Sequence, residues 1–356
     1  MLDPDTRIAV VSTTCLEVPP SGYGGLELMV YHLCVELADR GYDVTCIAPE
    51  GTTIDGVDVI ETTPPDDSAD CFRKEPAAYD RYADRLQDYD LVIDHSWQKL
   101  AYQRTREAPE AMADTTILGV WHGMPEFQAK PVDEPNFVSV SRAAADAWTR
   151  KLGFEVRHVY NGIDLSRYRL EPEKDDYVMT LNRITREKGI LECIDVAEHL
   201  GVPLKVVGED KFVDDPGYVV EVMTRCSQSR YAEYVGQVDE DRKAALLRNA
   251  RALLLLPQAP YKEVFGLAAV EAMATGTPVL ASDNCGVGEV VTTVQDRGAY
   301  QDLDFLVADL ERVAAGDDVF PDPAMLREGV AEHFSVAAMT DTYLERGAEA
   351  IADGWG

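Results

Sequence analysis

The segment Tyr261–Ser282 constrains the fold of this chain most, because it predicts a loop, a helix and a strand in close succession. The run Gly266–Ala274 is rich in Ala and Leu, which favours a helix. Gly276 is placed to end that helix, and Pro278 prevents it from continuing. The apolar residues Val279–Ala281 then predict a short buried strand, an order that is typical of α/β proteins.

Two carboxylates flank the start of this helix. Glu263 lies in the preceding loop and Glu271 lies on the helix, in an E-x7-E spacing. The unpaired N–H groups of a helix N-terminus carry a partial positive charge that suits a diphosphate. The residues that would present these N–H groups are Phe265, Gly266, Leu267 and Ala268. Carboxylates accept hydrogen bonds from hydroxyls, so the combination suits a nucleotide-sugar. The alternative is structural, with Glu263 stabilising the helix start and Glu271 on a solvated face.

The same alternation of strand and helix begins twice along the chain. In the first half, strands at Ile8–Ser12 and Val44–Ala48 flank a helical repeat that ends at Gly41. The second half begins again with a strand at Tyr177–Leu181, a helix at Ile190–Leu200 and further strands, of which Ala252–Leu256 leads into the central segment. A right-handed parallel crossover is the expected geometry of each such unit.

The chain length of 356 residues suggests two domains of ordinary size. The acidic, proline-containing stretch Tyr168–Asp176 is a credible linker. We therefore expect a first domain over 1–168, a second over 169–335 and a C-terminal helix over 336–356.

The charge of the chain limits its partners. The formal net charge is −31, with ten Lys against 23 Arg. A surface this acidic repels nucleic acid and anionic membranes. We therefore expect no binding of nucleic acid and no strong binding to membranes. Acid excess with few lysines is expected of proteins that work in molar salt, where the screening length falls to ~3 Å. An ordinary acidic cytoplasmic protein is the alternative.

Cysteine and histidine usage indicates no special chemistry. The seven cysteines are an odd number without a C-x2-C pair, so we expect scattered reduced thiols. The six histidines lack metal-ligand spacing, and we expect neither a metal nor another cofactor. No apolar run approaches the ~20 residues that span a bilayer, and the N-terminus lacks the pattern of a signal peptide. A cytoplasmic location is the default expectation.

Polar residues follow several predicted strands of the first half. Gly24 and Gly25 precede a helix, but Glu27 occupies the last position of a G-x-G-x-x-G pattern, so a dinucleotide fingerprint is poorly supported and a plain turn stays open. His95 and His122 end two further predicted strands, where open α/β sheets bind ligands. A lone histidine is more often structural, so both interpretations stay open for each.

The second half places two cations between a strand and a helix. Arg183 and Lys188 would serve an anion, since Arg grips phosphate with two hydrogen bonds and Lys acts as a point charge. The alternative is a pair of solvated basic residues beside Glu187.

Taken in order, these motifs resemble family 4 of the retaining glycosyltransferases, in its bacterial and archaeal branch. The segment EAMATGTPV at 271–279 completes the family's E-x7-E motif, and PPSGYGG at 19–25 is similar to its amino-terminal motif. The segment 182–189 resembles G-R-x4-K-G with Asn182 in place of glycine, 284–289 resembles G-G-x-x-E, and Phe334-Ser335 resembles the start of the last helix. If the backbone of Asn182 needs a positive φ, Asn is the least costly substitute for glycine.

The resemblance implies a GT-B fold, with two Rossmann-like α/β domains facing across a cleft. It implies that Glu263 contacts the donor sugar, Glu271 the ribose and His122 the donor sugar as well. It further implies that Gly24 and Gly25 approach the donor phosphates. The segment Gly236, Gln237 and Val238 matches the family's base-binding edge.

The implied reaction moves a sugar from a nucleotide diphosphate-sugar to a hydroxyl acceptor, with retention and without an obligatory metal. Two rivals stay open. The first is a nucleotide-sugar epimerase or a phosphorylase on the same fold. An assay of nucleotide diphosphate release with and without a hydroxyl acceptor distinguishes these enzymes from a glycosyltransferase. A catalytically silent sugar-binding protein would bind glycan but no nucleotide in a calorimetric titration.

Overall fold

The computed structural model describes residues 2–22, 24–66, 68, 70–127, 135–210, 213 and 215–355. Contacts divide the chain into two compact units. The first comprises Met1–Gly162 with Val336–Gly356, and the second comprises Ile163–Ser335. The chain therefore passes from one unit to the other a few residues before the domain boundary that we predict at 168. No helix within the described ranges is both long and apolar enough to cross a membrane.

The first unit is built on a parallel sheet of seven strands. Its strands are β1 Arg7–Val11, β2 Asp43–Ala48, β3 Asp58–Glu61, β4 Leu91–Asp94, β5 Thr116–Trp121, β6 Phe137–Ser139 and β7 Arg157–His158. Its helices are α1 Gly25–Asp39, α2 Glu75–Tyr82, α3 Ala101–Glu107, α4 Arg142–Leu152 and α12 Val336–Ala352. The strand order is β3-β2-β1-β4-β5-β6-β7.

The second unit holds a parallel sheet of six strands. Its strands are β8 Val178–Leu181, β9 Leu204–Val207, β10 Ala232–Gly236, β11 Leu253–Leu255, β12 Val279–Ser282 and β13 Ala299–Tyr300. Its helices are α5 Ile190–Leu200, α6 Pro216–Gln228, α7 Glu240–Asn249, α8 Leu267–Ala274, α9 Gly286–Gln295, α10 Leu303–Ala315 and α11 Pro323–Phe334. The strand order is β10-β9-β8-β11-β12-β13.

Each sheet reverses its strand order once, between β1 and β4 in the first unit and between β8 and β11 in the second. The connections on either side of such a point leave in opposite directions, so a crevice opens beyond the carboxyl ends of these strands. In the second unit this crevice receives the segment after β8, which carries Arg183 and Lys188, and the segment after β11, which carries Glu263.

Apolar side chains cover the sheets, as expected of parallel strands. In the first unit the rings of Trp121 and Trp148 stack with centroids 4.7 Å apart. In the second unit Val178, Ile194 and Leu254 are fully buried in one cluster. The predicted α/β class with two Rossmann-like sheets is confirmed.

One strand lies where the sequence analysis predicts none, and one local expectation is wrong. The stretch 55–75 contains the edge strand β3, whose four residues are acidic at both ends. Cys15 and Cys71, expected to be reduced, form a disulfide with a Cα–Cα distance of 5.2 Å. The fold brings these residues together across a sequence separation of 56, which no local pattern reveals. The other five cysteines all lie within the described ranges, and none of them is in a disulfide.

The C-terminal helical stretch is interrupted where the resemblance indicates. Helix α11 ends at Phe334, Ser335 is extended with φ −77° and ψ 159°, and α12 begins at Val336. Helix α12 packs on α1, where Arg40 donates a hydrogen bond to the carbonyl oxygen of Ala337 at 3.1 Å.

Candidate functional site

The segments that follow β8 and β11 are tied together at the switch point of the second unit. The N–H of Gln258 donates to the carbonyl oxygen of Glu187 at 2.8 Å. Gly189 has a positive φ of 67°, and a Cβ atom there would lie 1.9 Å from the carbonyl oxygen of Leu256. Only glycine permits so close an approach of the two backbones, which explains the glycine after Lys188.

Lys188 and Glu263 form an ion pair at this point. The Lys188 ammonium contacts Glu263 Oε2 and the hydroxyl of Tyr261, the latter at 2.9 Å. Its Nζ also lies 4.7 Å from the centroid of the Tyr261 ring. Burial lowers the pKa of Lys188, but the charges and hydrogen bonds of Glu263 and Tyr261 together outweigh the effect of burial and raise the pKa above its usual value. The lysine is therefore held charged beside a carboxylate.

Arg183 differs from Lys188 in being exposed. Its guanidinium forms no ion pair or hydrogen bond with any residue that the structure describes. Arg183 can therefore bind an anion without first breaking such a contact. The neighbouring Asn182, which replaces the glycine of the family motif, is absent from the described residues with positive φ. Its substitution therefore needs no backbone explanation. Its side chain donates to Thr180 Oγ1 at 3.2 Å.

Asn284 holds the loop that carries Glu263. Its Oδ1 accepts from the N–H of Glu263 at 3.1 Å, and its amide donates to the carbonyl oxygens of Tyr261 and Pro257 at 3.0 and 3.3 Å. The carbonyl oxygen of Glu263 in turn accepts from the N–H of Gly286 at 2.8 Å. The sequence pattern predicts only a turn at 284–289 and does not reveal this role.

The N-terminus of α8 offers unpaired donors beside this loop. Gly266 is left-handed with φ 94° and precedes the helix. Among the described residues, no acceptor is found for the N–H groups of Gly266, Leu267 and Ala268. The Phe265 side chain is buried against Phe334, with ring centroids 5.7 Å apart, so its ring serves the packing of the helix start.

Glu271 is buried, so the solvated alternative for this residue is wrong. Its relative exposure is 7%. Its Oε1 accepts hydrogen bonds from the hydroxyl of Tyr168 and the ammonium of Lys243, both at 2.8 Å. Neither partner was singled out from the sequence. Tyr168 lies in the predicted linker, and Lys243 lies three positions after Glu240 on a helix, a spacing that is typical of a surface pair.

The strand β10 ends at the residues expected to bind the base. Gly236 has φ 73° and its carbonyl oxygen accepts from the N–H of Gly208 at 3.0 Å. Gln237 is exposed and its amide donates to Glu209 at 2.6 Å, while Val238 is half-buried. The edge therefore offers backbone groups and one amide side chain.

In the first unit, Gly24 and Gly25 stand at the start of α1. Gly24 is extended, and a Cβ atom there would lie 2.8 Å from Pro20 Cβ, so the position demands glycine through close packing. Glu27 is buried and accepts from Thr13 Oγ1 at 2.5 Å. Tyr23 of the same motif lies outside the described residues.

His95 and His122 form a pair at the carboxyl ends of β4 and β5. His95 Nδ1 lies 3.0 Å from His122 Nε2, and the rings stack with centroids 5.2 Å apart. Burial lowers the pKa of His122 to about 3, with the charge of Lys99 as a second cause. Burial, His122 and Lys99 lower the pKa of His95 in the same way. Both rings are therefore neutral at pH 7.

No cluster of three or more His, Cys, Asp or Glu side chains with metal-binding geometry occurs within the described ranges. The site of the second unit instead combines a lysine, an exposed arginine, helix N–H groups and two glutamates. Such a set can bind an anion that carries hydroxyl groups on either side.

Comparison with known proteins agrees with this chemistry. The model of "Glycosyltransferase Family 4" matches residues 23–167, and that of "Glycosyl transferases group 1" matches residues 164–299. The chain is 27% identical to a glycogen synthase of Mycobacterium tuberculosis over 89% of its own length and 87% of that protein. It is 26% identical to a phosphatidyl-myo-inositol mannosyltransferase of Mycolicibacterium smegmatis, over 78% and 76% respectively.

A solved structure shows the same fold. The crystal structure of a glycosyltransferase involved in avilamycin A biosynthesis superposes with a TM-score of 0.74, at 23% identity, over 99% of this chain and 100% of that one. Two consecutive family matches, the two parallel sheets and the E-x7-E segment agree with one another. The chain therefore belongs to the family 4 glycosyltransferases, with the GT-B fold.

Proposed function

We propose that the second unit binds the donor, with the diphosphate at the N-terminus of α8, the sugar beside Glu263 and the ribose beside Glu271. The enzyme moves a sugar from a nucleotide diphosphate-sugar to a hydroxyl acceptor, with retention of configuration. One observation carries the assignment of the site: Lys188, Glu263 and the N-terminus of α8 meet where the strand order of the sheet reverses.

The departing diphosphate needs positive charge. Arg183 is free to form two hydrogen bonds to it, and the N–H groups of Gly266, Leu267 and Ala268 point from the positive end of a helix. Lys188 already sits in a charged state beside Glu263. Donors placed before the reaction need no reorganisation during it, which makes their stabilisation of developing charge effective.

The proposed substitution takes place on one face of the sugar. The acceptor oxygen bonds to the anomeric carbon as the bond from that carbon to the diphosphate oxygen breaks. The proton of the acceptor hydroxyl passes to the departing phosphate. Positive charge develops on the sugar only in the transition state, so the carboxylate of Glu263 contributes more there than in the ground state.

Measurements of turnover and of nucleotide affinity should distinguish the roles of the two glutamates. Glu263→Gln should lower turnover by about tenfold or more with little change in affinity for the sugar-free nucleotide diphosphate, since the sugar is absent from that ligand. Glu271→Gln should weaken the nucleotide diphosphate itself, because the ribose is present in substrate and product. Turnover is measured with the cognate donor and affinity by calorimetry. The exposed Glu328 of α11 provides the matched control, Glu328→Gln.

Two outcomes count against this assignment. Loss of nucleotide affinity in Glu263→Gln with loss of turnover alone in Glu271→Gln would reverse the two roles. Unchanged turnover and affinity in both variants would show that the segment with Glu263 and Glu271 has a structural role only.

Because the donor nucleotide is not specified by these contacts, a thermal-shift screen of UDP, GDP, ADP and their sugars at high salt precedes the assay. Nucleotide release with and without acceptor separates transfer from epimerase or phosphorylase activity.

The remaining site residues stay predictions. We propose that His122 contacts the donor sugar, that Gly24 and Gly25 approach the phosphates, and that the Gly236–Val238 edge binds the base. We also propose that the enzyme works in the cytoplasm at high salt. The support for the last proposal is the net charge of −31 and the small number of lysines.

A further inference from the structure

Two side chains converge on one oxygen of Glu271. The Tyr168 hydroxyl and the Lys243 ammonium each donate to Oε1 at 2.8 Å. Tyr168 is 3% exposed, and the side chains of Lys243 and Glu271 are 16% and 9% exposed. No hydrogen bond from the described residues reaches Oε2, the other carboxylate oxygen. The carboxylate therefore has one oxygen occupied and one left to accept.

Both donors are themselves held in place. Arg327 donates to the carbonyl oxygen of Tyr168, to that of Ala274 at 2.7 Å and to that of Leu165 at 3.0 Å. It thus ties the backbone of Tyr168 to the last turn of α8, the helix that carries Glu271. On α7, Lys243 also forms an ion pair with Glu240 at 2.8 Å.

The arrangement has a physical consequence for a buried carboxylate. Burial without a partner disfavours the charged form, and a free carboxylate samples several rotamers. The Lys243 ammonium and the Tyr168 hydroxyl on Oε1 give the carboxylate of Glu271 two hydrogen-bond partners and hold it in one orientation. A carboxylate fixed in this way accepts a hydrogen bond from a ligand hydroxyl without further loss of side-chain entropy.

We infer that Tyr168 and Lys243 are positioning residues that present Oε2 of Glu271 to the ribose hydroxyls and so set the preference of the enzyme for ribonucleotides over deoxyribonucleotides. This inference rests on the proposed placement of the ribose beside Glu271. A purely structural role, in which Lys243 only joins α7 to α8, predicts a loss of stability with no change in sugar preference.

The readout is a ratio of affinities. Whichever of UDP, GDP and ADP binds most tightly is titrated by calorimetry, together with its 2′-deoxy and 3′-deoxy counterparts. The deoxy-to-ribo ratio of Kd isolates the contact with each hydroxyl. A hydrogen bond to a charged group predicts a wild-type ratio of about tenfold or more for at least one hydroxyl. Glu271→Gln should reduce this ratio.

The variants test the two donors separately. Lys243→Met should reduce the ratio about threefold or more, and Tyr168→Phe, which removes only a hydroxyl, should reduce it about twofold. Lys243→Arg should retain most of it. Two matched controls should leave it unchanged: Lys205→Met breaks a surface pair with Glu233, and Tyr300→Phe removes a hydroxyl that donates to the buried Asp309. Melting temperatures are recorded for every variant.

The outcomes separate the positioning role from the placement of the ribose. A wild-type ratio near one, or a ratio that Glu271→Gln leaves unchanged, would show that Glu271 does not receive the ribose, so the proposed function fails at this residue. If wild type discriminates through Glu271 while Tyr168→Phe and Lys243→Met keep the wild-type ratio, the positioning role is overturned and the proposed function stands. A lower melting temperature with an unchanged ratio in these two variants likewise overturns the positioning role.

Discussion

Lys188 and Arg183 are both proposed to bind the diphosphate, but their contacts in the structure differ. Lys188 is paired with Glu263 and Tyr261, whereas Arg183 is exposed and unpaired among the described residues. A diphosphate that enters the site must share Lys188 with Glu263. The ion pair therefore joins the group that would hold the phosphate to the group that would act on the sugar.

Arg183→Ala and Lys188→Ala should each weaken nucleotide diphosphate binding by about tenfold or more, since charge-assisted contacts contribute about 1.5–3 kcal/mol. Lys188→Ala should in addition lower the free energy of unfolding by about 1–3 kcal/mol, because it leaves Glu263 without its charged partner. Calorimetry and urea unfolding measure the two effects. Arg186→Ala is the control, since Arg186 is exposed and pairs with Asp215 and Glu221. Wild-type affinity in both test variants would exclude the assignment.

The histidine pair of His95 and His122 predicts a dependence of stability on pH. Burial lowers the pKa of His122 to about 3 and that of His95 well below its usual value. The unfolded chain takes up these protons below about pH 6.5, whereas the folded chain does not. The folded state should therefore lose up to about 1.4 kcal/mol per pH unit for each histidine as the pH falls from about 6.5 towards 3.

The measurement compares urea unfolding at pH 7 and pH 5 in wild type and in the double variant His95→Gln, His122→Gln. The double variant should lose less stability on acidification than wild type does. His333→Gln, at a half-exposed histidine of α11, should behave as wild type. Equal losses in all three proteins would contradict the assignment of neutral rings to His95 and His122.

At the scale of elements, helix α9 matters because its first turn holds the Glu263 loop. The residue before the helix, Cys285, has φ 59° and ψ −127°, a conformation that only glycine adopts readily. The following Gly286 donates to the carbonyl oxygen of Glu263. The start of α9 therefore stores backbone strain next to the proposed catalytic loop.

Cys285→Gly should relieve that strain and raise the free energy of unfolding by about 1 kcal/mol. Gly286→Ala should do the opposite, since a Cβ atom at this position would lie 1.8 Å from the carbonyl oxygen of Val264. Urea unfolding of both variants measures these changes. A Cys285→Gly protein less stable than wild type would show that other contacts of the cysteine outweigh the strain.

At the scale of the whole molecule, the net charge of −31 opposes folding through repulsion among carboxylates. The melting temperature should therefore rise steeply between about 0.1 M and about 1 M KCl, as the screening length falls from ~10 to ~3 Å. A melting temperature that stays constant or falls as the KCl concentration rises would favour the alternative of an ordinary acidic protein.

A charge-reduced variant separates screening from other effects of salt. It replaces four exposed carboxylates by their amides, at Glu110, Asp114, Glu328 and Asp353. The variant should melt higher than wild type at low salt and approach wild type at high salt. A constant difference at all salt concentrations would point to a cause other than repulsion.

Much of the fold follows from local pattern. Apolar runs of strand length, helical periods and the breaks at Gly41, Gly276 and Pro278 predict the parallel α/β units, because these signals depend on neighbouring residues. The sequence pattern does not predict the strand β3, because this strand lies at a sheet edge and has an acidic residue at each end. Helix α6 also went unpredicted, although Pro216 at its start is a usual N-terminal signal.

The sequence by itself determined the two successive α/β units and the positions of Glu263, Glu271, Arg183 and Lys188 in loops and helices, since spacing and chain order suffice for that. Only the tertiary structure decided which groups these side chains contact. Lys188 reaches Glu263 across 75 positions, and Tyr168 reaches Glu271 across 103. Such pairs depend on how strands order in a sheet and where helices pack, so no local pattern encodes them. The same reason applies to the disulfide between Cys15 and Cys71, which joins two segments that are distant in the chain.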